Sequence, residues 1–294
     1  MYRISLPIFC NLPVFVLLGV NLLLNIATAD LVEQGLQHLQ SEPATPEKVA
    51  LVIGNGAYRS VQPTLRNTIN DANDIARELG SLGFRVLLSR DATLSDMQKK
   101  VVEFTNLLTH AEVGLVYFAG MGLQFDGVNY LIPVDAHLAS SADIPNETLS
   151  TQDIFERMAN SPTKLNIVIL DACRNTPDRD IGVTRNTLLT AGLAKPASPP
   201  LRNGFLAFAT GPGQLALDGS GRNGVYTGQL LKFIKNPDLD LPTLFDEVGK
   251  AVKAATDNRQ NPWVEHSSLS ERFCFAGCNT TENSQITISV TKNK

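Results

Sequence analysis

The chain has 294 residues, with 25 Lys and Arg against 29 Asp and Glu, a net charge of −4. At 43% hydrophobic and 18% charged it is too apolar for a disordered chain and long enough for one large or two small domains. The mild acidity offers no basic face for general nucleic-acid binding, so nucleic acid is not expected among its partners.

Arg3, an apolar run from Val14 to Leu24 and Ala27-Thr28-Ala29 make a signal-like opening. The run is shorter than the about 20 residues a membrane helix needs, and Asn11, Asn21 and Asn25 interrupt the apolar stretch. Residues 1–29 are therefore expected to be a signal peptide cleaved after Ala29, which leaves a secreted or periplasmic chain with no membrane span; an uncleaved N-terminal anchor is the alternative. Of the four cysteines, Cys10 would leave with the signal. In an oxidising compartment Cys274 and Cys278 can bridge if the chain turns at Ala276-Gly277, which leaves Cys173 as the odd thiol. C-x3-C without a second ligand pair is not a metal signal, and neither a metal nor another cofactor is expected.

Residues 30–46 form a polar lead-in. Val49 to Ile53, closed by Gly54, reads as a strand buried on both faces. Asn70 to Leu82 predicts a helix with Gly83 as its C-terminal cap. Phe84 to Leu88 is the next strand, Thr93 to Thr109 a helix, Val113 to Phe118 a third strand and Leu131 to Val134 a short strand-like segment. Thr151 to Ala159 predicts a helix and Leu165 to Leu170 a fourth strand. A Pro-rich connection over 181–203 follows. Phe205 to Ala209 is a fifth strand, Val225 to Ile234 and Leu244 to Ala255 are helices, and Leu269 to Phe275 is a sixth strand. Residues 279–294 are a tail with a weak edge-strand pattern from Ile286 to Val290. This alternation predicts an α/β sandwich of three layers, with a mostly parallel sheet of about six strands and helices on both faces.

In such sheets ligands bind beyond the carboxyl ends of the strands. Gly54-Asn55-Gly56 resembles the start of a phosphate cradle, but Arg59 stands where a third glycine would be, and the pair reads as a turn. Gly120-Met121-Gly122 reads as a tight turn that exposes one side chain at the sheet edge. Asp171-Ala172-Cys173-Arg174 puts a thiol after the fourth strand, where a nucleophile or an inert buried thiol would each fit.

Taken in order, Val49 to Gly54, Asn70-Asp71-Ala72, Tyr117 to Gly122, Asn129 to Asp135, Ile169 to Asn175, Phe208 to Gly213, Ala216 to Gly219 and Gln260 to Trp263 resemble the bacterial branch of the caspase and metacaspase family, peptidases of the C14 type. The resemblance spans residues 47 to 275. Within a domain placed at 47–278, it implies a large-subunit-like part to about residue 180 and a small-subunit-like part over 204–278. It also implies a Cys–His endopeptidase with Cys173 as nucleophile and an acidic pocket, Asp71 and Asp171, for Arg or Lys before the scissile bond. The alternative for Asp71 is a helix N-terminal charge that complements the dipole.

The family's histidine position is occupied by Met121, whose thioether exchanges no proton near neutral pH. A free thiol of pKa about 8.5 is only about 3% thiolate at pH 7. The expectation is a pseudopeptidase that binds Arg- or Lys-bearing peptide segments, with a weak endopeptidase cutting after those residues as the alternative. His110, His137 and His266 are the candidate substitutes for the missing base, with His137 favoured.

Overall fold

The computed structural model describes residues 48–59, 65–173, 189–191, 193, 201, 203–211 and 216–279. The signal-like segment, the lead-in, most of the Pro-rich connection and the tail from 280 lie outside the described residues. Six strands form the main sheet: β1 (Lys48–Gly54), β2 (Arg85–Arg90), β3 (Val113–Phe125), β6 (Leu165–Cys173), β8 (Gly204–Phe208) and β9 (Trp263–His266), ordered β2-β1-β3-β6-β8-β9. All neighbours are parallel except β8 and β9. β4 (Val128–Leu131), β5 (Leu149–Ser150) and β7 (Leu189–Ala191) extend a smaller antiparallel patch from the far end of β3.

The central strands read as continuous apolar runs because both of their faces are covered. Ala50, Val52, Leu115, Tyr117, Ile167 and Ile169 face α1 (Thr68–Ser81), α5 (Val225–Phe233) and α6 (Leu241–Ala255). Leu51, Ile53, Val116, Phe118, Val168 and Leu170 face α2 (Leu94–Leu108) and α4 (Thr151–Ala159). A one-turn helix α3 (Ile144–Glu147) precedes β5. This is the expected three-layer, mostly parallel sandwich.

Three local expectations are corrected. Gly120-Met121-Gly122 is not a turn: β3 runs straight through it, and the reversal comes at Asp126-Gly127, both with positive φ (49° and 77°). That pair fits the tight hairpin into β4, so the strand there is 128–131 and not 131–134. The two glycines instead allow close approach. A Cβ on Gly120 would stand 2.6 Å from both Phe118 Cζ and Tyr58 Oη, and one on Gly122 would stand 2.8 Å from Leu193 Cδ2. Finally, the sixth strand is Trp263–His266, while 269–275 is irregular. There Phe273 accepts a backbone hydrogen bond from Leu241 at the start of α6, and Phe275 plugs the core, which draws the segment away from any ladder.

The turn expected at Ala276-Gly277 is present, with Gly277 at φ 82°, and Cys274 and Cys278 are bonded across a Cα separation of 5.0 Å.

Candidate active site

The carboxyl ends of β1, β2 and β3 are tied together by Asn55, which is fully buried. Its backbone N–H donates to Ala119 O (2.8 Å), its side-chain oxygen accepts from Ala92 N (2.9 Å) and its amide donates to Ile132 O (3.2 Å). Asp91 Oδ1 accepts from the N–H groups of Gly56 and Ala57, both at 2.9 Å. The G-N-G segment is thus a structural knot at the sheet end and not a phosphate cradle.

Beyond the knot, β3 and β6 remain in parallel register as far as the pair Met121 and Cys173. Register partners in adjacent strands are lateral neighbours about 4.8 Å apart across the ladder. Met121 is fully buried, packed in a cluster with Tyr58, Leu65, Leu123, Tyr130 and Ile132. Its backbone N–H donates to Tyr58 Oη at 2.6 Å and its carbonyl accepts from Ile132 N at 3.0 Å. The Cys173 side chain and the residues from Arg174 to 188 lie outside the described residues.

Three histidines are candidates for the base that a Cys–His pair would need. All are exposed. His266 stacks on Phe205, the register partner of Ile167, so it lies about 20 Å back along the strands from Cys173 at about 3.3 Å per residue. His110 precedes β3, at the opposite edge. His137 follows Ile132 in the loop beyond β4 and is exposed.

The two acids do come together. Asp71, in the first turns of α1, and Asp171, near the end of β6, are both more than nine-tenths buried and flank the backbone of Gly224. Gly224 N–H donates to both Asp71 oxygens, at 3.0 and 3.3 Å. Thr227 Oγ1 donates to Asp171 Oδ2 at 2.6 Å and therefore accepts from Tyr117 Oη, also 2.6 Å away. The amino terminus of α5 thus sits over the pair, where its N–H groups favour negative charge.

Burial still prevails. Desolvation first, then the Asp171 charge, push the Asp71 carboxyl from 3.8 up to about 8. Desolvation also raises Asp171 to about 6, against the lowering effect of its Thr227 hydrogen bonds, and Asp218 adds negative potential to both acids. No Lys or Arg is paired with either acid among the described residues. Two buried, mutually repelling carboxylates of this kind favour a cation between them.

A clamp holds this arrangement. Asp74, one turn further along α1, accepts from Arg222 Nε (2.9 Å) and Nη2 (3.1 Å) and from Asn223 Nδ2 (3.0 Å). Asn67 and Asn70 donate to the carbonyls of Asp218 (2.6 Å) and Arg222 (3.0 Å). Gln260, fully buried, donates to Ala209 O and accepts from Leu217 N. Sequence reasoning missed Asp218, Gly224, Thr227 and Tyr117. Asp218 and Gly224 lie in or beside the A-L-D-G run quoted for the family resemblance, but no spacing rule links them to Asp71.

Residues 47–274 match the caspase domain family. Human mucosa-associated lymphoid tissue lymphoma translocation protein 1 is 30% identical over 237 residues, covering 79% of this chain and 27% of that protein. A probable protease of a Desulfuromonadales bacterium is 26% identical over 214 residues, covering 62% of this chain and 25% of the relative. The chain thus spans about a quarter of the length of these curated relatives. The fold is similar to caspase-1 of Spodoptera frugiperda (TM-score 0.58, 16% identity, 81% of this chain and 92% of that one). It is also similar to the Drosophila initiator caspase Dronc (TM-score 0.57, 11% identity, 80% and 86%). With the caspase domain matched from 47 to 274 and a caspase-like sheet carrying Cys173 at its carboxyl edge, the chain belongs to the caspase family and is related to proteases.

Proposed function

We propose that this protein is an exported caspase-family pseudopeptidase that binds peptide segments through an Arg or Lys side chain and does not cut them efficiently. The observation that carries the reading is the residue beside Cys173. The register partner is a buried methionine wrapped in apolar side chains, where a peptidase needs a group that gives and takes a proton. Loss of one member of a nucleophile–base unit typically costs several orders of magnitude in rate.

The binding half of the reading is supported by Asp71 and Asp171, which lie buried beside Gly224, Asp171 two residues before Cys173 on β6. A cationic head between them would relieve both desolvation and mutual repulsion. The other reading, a Cys173-dependent endopeptidase cutting after Arg or Lys, retains the same recess and differs only in turnover.

The test of the binding half is affinity. Purified protein should bind a peptide ending in Arg more tightly than its Ala-ending counterpart, and Asp171→Asn should reduce that difference at least tenfold, more at low salt. Equal affinity of the wild type for the two peptides would overturn it.

A further inference from the structure

The residue between the two acids is a glycine, and its backbone does not require one. Gly224 has φ −55° and ψ 153°, an extended conformation open to every L-residue. It is also the N-cap of α5, a position that favours Ser, Thr, Asp or Asn, and it supplies no side-chain cap. What a side chain would do there is press on both acids. A Cβ there would stand 3.1 Å from Asp71 Oδ2 and 3.6 Å from Asp171 Oδ2, in the slot that both carboxylates border. By contrast, the positive-φ glycines at 83, 127, 219 and 277 are explained by their backbone.

We propose that Gly224 is the specificity-determining residue of the recess: its missing side chain keeps open the slot through which a cationic head reaches both Asp71 and Asp171, while its N–H orients the Asp71 carboxylate. The proposal rests on the cation-binding reading given above and adds to it the residue that sets what the slot admits. The Arg222–Asp74 and Asn223–Asp74 contacts hold Gly224 in place from the outside, two residues and one residue before it in the chain. A methyl group at 224 touches one carboxylate and lies within contact distance of the other, so it narrows the approach to both.

The competing explanation is that glycine stands there because Asp71 already caps the helix from outside, so that no capping side chain is needed. The two explanations separate cleanly. The experiment compares wild type, Gly224→Ala and Gly224→Ser in binding a fluorescent Arg-ending peptide and its Ala-ending counterpart, with thermal melting of each protein. The expected result is cooperative melting within a few degrees of wild type for Gly224→Ala, at least a tenfold loss of Arg-peptide affinity and unchanged Ala-peptide affinity, with Gly224→Ser losing at least as much.

Wild-type affinity for the Arg-ending peptide in a natively melting Gly224→Ala protein would overturn the role of Gly224 and leave the recess standing. Loss of cooperative melting in both variants would also overturn it, because the glycine would then be serving the backbone. A wild type that does not discriminate between the peptides would overturn the recess and this proposal together.

Discussion

Met121 and Cys173 are register partners at the ends of the two central parallel strands. The partner of the cysteine is thus a side chain that exchanges no proton, held in a closed apolar cluster by a strand that continues four residues beyond it. The site is built to hold its shape around methionine. Its acidic half, a few residues back along β6, is built around charge.

A prediction about protons follows from that acidic half. Asp71 holds its proton to about pH 8 in the folded protein and releases it near 3.8 when unfolded. The folded state therefore binds more protons between those values, so this group's contribution to stability falls as pH rises from about 4 to about 8. A bound cation reverses the shift. Arg-peptide affinity should rise from pH 6 to pH 8, and calorimetry at pH 7 in two buffers of different ionisation enthalpy should report release of about one proton per peptide. Binding that is independent of both pH and buffer would contradict the paired-acid description.

The clamp behaves in the opposite sense. Arg222 donates to Asp74 and, together with Asn223, holds its carboxyl down to about 2. Its stabilising contribution is complete above 3.8 and is lost as pH falls through about 2. Since Arg222 is largely exposed, Asp74→Asn should lower the melting temperature by only a few degrees at neutral pH. It should weaken Arg-peptide binding by more than that small stability change suggests, because the loop that carries Gly224 is freed. Unchanged binding would show that Gly224 is held by other contacts.

The Cys274–Cys278 bridge closes a short loop beside buried Phe275, so chain entropy alone gives it about 2 kcal/mol. Cys278→Ser should lower the melting temperature by about 4–8 °C. Mass mapping without reduction should find the 274–278 pair linked; two free thiols there would contradict the assignment.

Met121→His would place an imidazole beside Cys173, inside an apolar cluster. Burial favours its neutral form, the form a base needs. Cys173-dependent cleavage after Arg should become measurable, at a melting temperature several degrees below wild type because a polar group is being buried. Recovery should be partial, since a misplacement of about 1 Å can cost a hundred-fold. No gain in a variant that folds and still binds Arg peptides would show that the missing imidazole is not the only deficit.

The sheet and its helices could be read from sequence wherever burial was two-sided or the pattern was long. The run from Val49 to Ile53 and the helix from Thr151 to Ala159 are both where their patterns place them. The edge strand Trp263–His266 was not legible, because it is short, half-exposed and has no alternation that distinguishes it from a loop. The apolar residues of 269–275 imitate a strand while plugging the core. Gly120 and Gly122 suggested a turn because glycine pairs usually make one, yet here they make room for Tyr58 and Leu193. Asp71 and Asp171 were named as candidates through motifs. Gly224 was not, because it meets Asp71 across 153 residues of chain, a contact created by the sheet order and not by any local pattern.

The most direct test of the central claim is turnover. Wild-type protein and Cys173→Ala, both shown to bind the peptide, should be compared on fluorogenic substrates ending in Arg and in Lys across pH 6 to 9. The account predicts equal, background-level release from the two proteins at every pH. Release by the wild type that is many-fold above background and abolished in Cys173→Ala would contradict it, and would make this chain a working cysteine peptidase whose base is a group other than residue 121.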